Sequence, residues 1–389
     1  LTPDEAEFGP NADLPSSSLG FFTEFLFGVR MDSLDLIRPH RSIAPQLTPA
    51  FSPRPANHPA IATDKIGVLL VNLGTPDGYD FWSVRRYLAE FLSDPRVVEL
   101  PRWLWQPLLH GVILMTRPQK SGAAYARIWD RERNESPLRT ITRAQAEATA
   151  AAMADSQILV RWAMRYGAPS IAQELDALKS QGCGRILVVP LYPQYSASTN
   201  ATVVDAVGAW LKRQRLQPAI RYAPAFHDDP SYISALAIGL RRSLASLDWT
   251  PDLVVASYHG IPKAAFDAGD PYHCHCLKTS RLLREEMGWS KDYLVTTFQS
   301  RFGPREWLKP YTAEELARLA QAGVKKILIL TPGFMADCLE TKEEIAIEAE
   351  EIFLHAGGER FAAAPCLNDA PESIDFLERF LTQELGGWL

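Results

Sequence analysis

From Lys65 onward the chain carries two sets of four continuous β-branched and aliphatic runs. The first is KIGVLLVNLG, QILVRWAMRYG, GRILVVPLYP and PAIRYAPAF; the second is PDLVVASYHG, DYLVTTFQS, KKILILTPGF and RFAAAPCL. Such runs mark strands buried on both faces. Stretches of helical periodicity separate most of them and predict helices over Ala172–Ser180, Ala201–Arg213, Tyr232–Leu247, Ala313–Ala322, Lys342–Leu354 and Pro371–Leu385. Strands alternating with helices build parallel sheets through right-handed crossovers. The pattern therefore predicts an α/β protein of two similar doubly wound, Rossmann-like domains. Each would hold a four-stranded parallel sheet flanked by helices, over residues 64–228 and 229–389.

Two regions depart from that rhythm. Residues 1–63 contain LTPDEAEFGPNADLPSSS and RPHRSIAPQLTPAFSPRPANHPAIA, rich in Pro, Ser and Ala without a sustained period, and read as a disordered extension. LGFFTEFLFGVR between them lacks the basic flank and cleavage site of a signal peptide. The first methionine is Met31, so the native protein is expected to begin near it. The second region, Arg86 to Leu114 (RYLAEFLSDPRVVELPRWLWQPLLHGVIL), is apolar and aromatic but broken by Pro95, Pro101 and Pro107. It reads either as core or as an exposed lip that meets a membrane surface. No run reaches the ~18 apolar residues of a membrane span.

Composition narrows the function classes. A formal net charge of −6 with no basic run argues against nucleic acid as a partner. Five scattered cysteines read as reduced thiols rather than a disulfide framework. The expectation is a cytoplasmic protein, with the lip as its contact to the inner membrane.

Doubly wound sheets bind ligands past the carboxyl ends of their strands. Those ends read NLGTP, RYGAP, YPQYSAST, YHGIP, FQSRFGPREW and PGFMADCLET. Neither GxGxxG nor GxxxxGK[ST] occurs, so the usual nucleotide cradles are missing. Aromatic rings with one His and one Glu suit a flat apolar ligand better than a phosphate. His259, ending VVASYH, is placed to take a proton or meet a cation, with a reference pKa near 6.5. The plain alternative is a core histidine bonded to backbone. Glu340, Glu344 and Glu348 stack on one helical face at i, i+4 and i+8. For the last two, a solvated acidic face is the alternative. YHCHC, Tyr272 to Cys276, offers N and S donors, but adjacent residues cannot all converge on one ion.

NLGTP, YPQYS, SYHGIP, TFQSRFGPREWLKPYT and PGFMADCLET, in order over about Lys65–Leu385, resemble the ferrochelatases. That family inserts Fe(II) into protoporphyrin IX at the end of haem synthesis. The resemblance implies a chelatase-like fold, with protoporphyrin IX and Fe(II) as substrates and no required cofactor. It implies His259 and Glu340 as catalytic groups, with Glu344 joining them toward the metal. Leu73 would face one side of the ring and His259 the other. Arg127, Ser136, Arg165 and Tyr166 match positions near propionates or macrocycle. Tyr195, Trp307 and Phe334 would supply aromatic walls, although each also suits a core. In related enzymes the acidic ladder is read as a proton or metal conduit. Some members carry His two residues before the catalytic Glu, where this chain has Cys338; bacterial relatives often read DCLET as here. Members with a [2Fe–2S] cluster resemble one another in a cysteine-bearing C-terminal extension, and here only Cys366 lies in the last fifty residues, so no cluster is expected. A coproporphyrin ferrochelatase, or another tetrapyrrole metal chelatase, is the near alternative. A porphyrin carrier is the distant one, and it has no need of a base beside the ring.

Overall fold

All eight apolar runs fold as strands in this computed structural model, which describes residues 57–58, 63–153 and 157–389. The expectations of a disordered extension and a start at Met31 fall outside the described residues. β1 (Lys65–Gly74), β2 (Ile158–Tyr166), β3 (Cys183–Pro190) and β4 (Ala219–Tyr222) form one sheet, in the order β2-β1-β3-β4. β5 (Leu253–His259), β6 (Leu294–Gln299), β7 (Lys326–Leu330) and β8 (Arg360–Ala363) form the other, in the order β6-β5-β7-β8. Every pairing is parallel. In each sheet the winding reverses between the first and third strands, the point where such sheets open a crevice.

The runs are continuous because both faces are covered. Val68 and Leu70 of β1, with Val254 and Ala256 of β5, face one shared apolar cluster, while Leu69 and Val71 face a second and Val255 a third. The helix Pro371–Glu384 belongs to the shared cluster through Phe376, Leu377 and Phe380, and packs on helices Pro137–Met153 and Pro230–Ala245. Beyond it, Arg221 donates to the carbonyls of Glu384 and Gly386 and lies 4.2 Å over the Trp388 ring. Arg185 donates to the Trp388 carbonyl at 2.7 Å. The residue-228/229 boundary falls at the turn into the Pro230–Ala245 helix, and the core runs across it, within the unit Ala60–Leu389.

Five predicted helices lie within two residues of their observed starts and ends: Ile171–Ser180, Thr202–Leu211, Pro230–Ala245, Thr312–Gln321 and Pro371–Glu384. Local chemistry starts two of them: Ser170 and Gln173 form a capping box, and Asp229 caps the helix that opens on Pro230. The sixth differs. Glu340–Ala349 is a π-helix that passes into an α-helical end, Glu350–His355. A spacing of three to four residues does not distinguish i→i+4 from i→i+5 bonding, and π turns gather at functional sites.

The Arg86–Leu114 stretch divides between buried and exposed side chains. It runs through helices Phe81–Leu92 and Arg102–Leu108, a π turn Leu109–Ile113 and the start of helix Leu114–Ile128. Leu88, Leu92, Trp105, Leu109 and Leu114 pack inward, and the Trp105 indole N–H donates to the Leu92 carbonyl at 2.6 Å. Trp103, Leu104, Leu108, Val112 and Met115 are exposed, Trp103 by 78%.

Candidate active site at the carboxyl end of the second sheet

His259 is the last residue of β5 and pairs in register with Gln299, the last of β6. The next residue has to be small. A Cβ on Gly260 would sit 3.0 Å from the Gln299 carbonyl oxygen and 3.1 Å from the Trp307 ring, while the Gly260 N–H donates to that carbonyl at 2.8 Å. His259 is half-buried, with Nδ1 2.6 Å from the Gly260 carbonyl oxygen. A carbonyl only accepts, so in the neutral ring Nδ1 carries the proton and Nε2 the lone pair. The Trp307 ring lies 6.2 Å away between centroids.

Glu340 reaches the same edge from β7. The connecting loop is pinned by buried Asp337, which accepts from Thr341 Oγ1 (2.9 Å) and Asn368 Nδ2 (2.9 Å), while its own N–H donates to Asn368 Oδ1 (2.8 Å). Gln145, from the first half of the chain, donates to the carbonyls of Met335 (2.9 Å) and Asn368 (2.8 Å). The Glu340 carboxylate then faces Cys338, Tyr125 and Tyr87. Burial first, with that negative charge adding, raises the pKa of all three.

Gln299 ties the two arms together. Its Nε2 donates to the Glu340 carbonyl at 3.0 Å and to Glu344 Oε2 at 3.4 Å, and its Oε1 accepts from Ser257 at 2.7 Å. Ser257 continues to Thr312 and Thr297 inside the sheet. Glu344 also accepts from the N–H of Ser300 (2.7 Å) and from its hydroxyl. Ser300 holds φ at 65°, a left-handed conformation costly for any residue but glycine. Burial raises the pKa of Glu344, and the Glu340 charge adds to this; the Ser300 bonds and the His259 charge oppose it. The exposed Glu348 lies farther along, on a cavity of about 250 Å³ that Glu344, Ser300 and Glu314 also line. Among the described residues no group of three or more His, Cys, Asp or Glu side chains is arranged to hold a metal ion. His259 and Glu340 both lie near enough to Glu344 for their charges to act on it.

The other candidates divide. Leu73 ends β1 half-buried between two apolar clusters, followed by Gly74 at φ 119°, where a Cβ would overlap the Tyr166 carbonyl. Tyr195 lies past β3, its N–H donating to His275 Nδ1 at 3.2 Å. Phe334 is half-buried against Leu138, Met164 and Cys338. Ser136 is buried at the head of the Pro137–Met153 helix, with no protein partner for its hydroxyl. Arg127, Arg165 and Tyr166 are already engaged. Arg127 pairs with Glu343 at 2.8 Å; Arg165 and Tyr166 both meet Asp94 Oδ2, at 2.5 and 2.9 Å. In these pairs the Arg127 side chain stays 44% exposed and that of Arg165 16%, while Tyr166 is fully buried. YHCHC begins the helix Tyr272–Glu286, with Cys276 in the core and Cys274 facing solvent, so its thiols diverge. Sequence reasoning missed Gln299 and Ser300, which the strand-end rule could have named, and Asp94 and Glu343, which carry no local signal.

Residues 65–385 match the sequence model of the family described as Ferrochelatase. The ferrochelatase of Agrobacterium fabrum (strain C58) is 58% identical over 340 residues, covering 87% of this chain and 99% of that protein. That of Rhizobium meliloti (strain 1021) is 58% identical over 333 residues, covering 85% and 98%. Among solved structures, SirB from Bacillus subtilis with Fe3+ superposes with a TM-score of 0.50 at 14% identity, over 83% of this chain and 97% of that one. That last likeness is one of fold.

Proposed function

The chain belongs to the ferrochelatase family, and we propose that His259 and Glu340 are the groups that carry its reaction. The enzyme is a metal chelatase of haem biosynthesis, of the lyase class, which inserts Fe(II) into protoporphyrin IX and releases two protons. Iron can enter the macrocycle only as the two pyrrole N–H protons leave. The His259 Nε2 lone pair suits the first transfer, because the Gly260 carbonyl fixes the proton on Nδ1. Glu340 and Glu344 suit onward transfer, and Glu344, whose pKa burial raises, holds a proton more readily than an exposed carboxyl. The observation that carries this reading is Gln299, which shares the His259 strand edge and holds both Glu340 and Glu344. A folded His259→Ala protein that binds porphyrin and makes haem at the normal rate would remove His259 from the mechanism.

The donor types also fit iron as a substrate in passage. Imidazole and carboxylate ligands hold Fe(II) without thiolate strength, and a closed cage would compete with the porphyrin. This reading calls on no [2Fe–2S] cluster. We place Leu73, Tyr195 and Trp307 against the macrocycle, with Ser136 offering its unpartnered hydroxyl to a propionate.

The lip is proposed as the membrane contact. Among the described residues no helix is long and apolar enough to cross a bilayer, but exposed apolar side chains from Trp103 to Met115 suit lying on one. Trp103→Ser is expected to weaken liposome binding and raise the porphyrin KM, with an unchanged thermal midpoint. Trp105→Ser should instead lose about 3 kcal/mol or more of stability, since that indole is core. Equal melts for the two variants would contradict the split. Residues 1–60 precede the family match, and their removal should leave metallation rates within about twofold. A large loss in folded protein would bring them into the site.

A further inference from the structure

The loop past β3 is fastened to the second half of the chain at four consecutive residues. Gln194 donates to Thr279 Oγ1 at 3.0 Å and to the Pro332 carbonyl at 3.4 Å. Ser196 and Ala197 donate to one carboxylate oxygen of Asp270, at 2.9 and 2.8 Å. Tyr195 alone is held by an imidazole, its backbone N–H donating to His275 Nδ1 at 3.2 Å. That bond exists only while Nδ1 has a lone pair, so the proton of the neutral ring sits on Nε2.

A second imidazole lies flat on the first. The rings of His227 and His275 are parallel within 4°, with centroids 3.5 Å apart. Two imidazolium ions cannot share that spacing without strong repulsion. His227 Nδ1 is buried and has no hydrogen-bond partner, and Thr279 Oγ1 donates to the carbonyls of both His227 (2.7 Å) and His275 (3.1 Å), fixing both backbones. Asp228 and Asp270 favour a charged His275, and Lys278 opposes it; Asp228 is itself paired with Lys278. Burial outweighs these charges and lowers the pKa of His275, while burial and then the His275 charge push His227 down to about 4. The neutral ring of His275 therefore persists at and somewhat below the ordinary imidazole value of about 6.5, and the Tyr195 bond is lost only at lower pH.

We propose that His275, backed by the stacked ring of His227, is a positioning residue: as a neutral imidazole it holds the Tyr195 backbone in place against the porphyrin, and on gaining a proton it lets that backbone go. The porphyrin consequence rests on the placement of Tyr195 at the macrocycle; the clamp itself does not. A protonated Nδ1 presents N–H to N–H, turning an attraction into a repulsion. Neither ring touches the reacting atoms.

The test is amide hydrogen exchange at Tyr195 in the porphyrin-free full chain, corrected for intrinsic rate, from about pH 8 to pH 5, beside porphyrin KM over the same range. The wild-type protein should lose protection about five- to tenfold on acidification, the worth of one hydrogen bond, and porphyrin KM should rise by a similar factor relative to His275→Asn, while kcat follows the same pH course in both proteins. His275→Asn supplies an acceptor near the Nδ1 position that takes no proton. It should keep protection and KM level across the range. His275→Ala should show low protection and high KM throughout, with a thermal melt reporting that it folds. The same acid response in wild type and His275→Asn, or full protection in His275→Ala, would overturn the proposal. Exchange that follows the prediction while KM stays flat would uphold the clamp and remove Tyr195 from the porphyrin site.

Discussion

His259→Ala is expected to lower the rate of haem formation by about 10²- to 10⁴-fold, the range for loss of a positioned acid–base group. Porphyrin should still bind and quench tryptophan fluorescence, because the aromatic walls and the lip remain. Glu340→Gln should be impaired on a similar scale: the amide keeps the shape and the contacts around Cys338 and Tyr125 but cannot take a proton. Gln299 holds the Glu340 backbone carbonyl, not its carboxylate, so this substitution leaves the helix anchor intact. If both residues serve one proton path, the double variant should be no slower than the worse single, since groups acting as a unit are non-additive. Multiplied losses in the double variant would mean two independent paths.

Asp94→Ala should be the most damaging change to stability away from the reacting edge. The Asp94 carboxylate, 6% exposed, accepts from Arg165 and Tyr166 on one oxygen and from the Arg96 N–H on the other. Removing it strands a guanidinium that is 16% exposed and a phenol with no exposure at all. A broken buried pair of this kind costs about 3–5 kcal/mol. Urea unfolding should show the loss, and Asp94→Leu combined with Arg165→Met should recover most of it, because no uncompensated charge remains. A loss below about 1 kcal/mol in Asp94→Ala would mean that water reaches the pair.

Both sheets were legible because their strands are covered on two faces, which writes uninterrupted apolar runs into the sequence. His259 and Glu340 were legible as positions because one ends such a run and the other opens the helix that follows another. What holds them was not. Arg127 meets Glu343, and Gln145 meets Asn368, across most of the chain; no local period encodes such partners. The π-helix was read as an ordinary helix, since Glu340, Glu344 and Glu348 share a face at either winding. Trp103 and Trp105, two residues apart, were assigned together to lip or core, although alternate sides of one segment meet different surroundings.

The closing of the core by the chain's last helix has a consequence for synthesis. Leu187, Val189 and Phe226 share a cluster with Phe376, Phe380 and Leu385, and Arg185 and Arg221 are satisfied by carbonyls of the final residues. A ribosome releases the first sheet long before these partners. Until they emerge, the helix Pro137–Met153 covers only part of the face turned to that cluster, and the rest of the cluster is exposed as a sticky nascent chain that chaperones would shelter. Stops within the last helix should then yield aggregates rather than a shortened enzyme, even though they remove neither His259 nor Glu340.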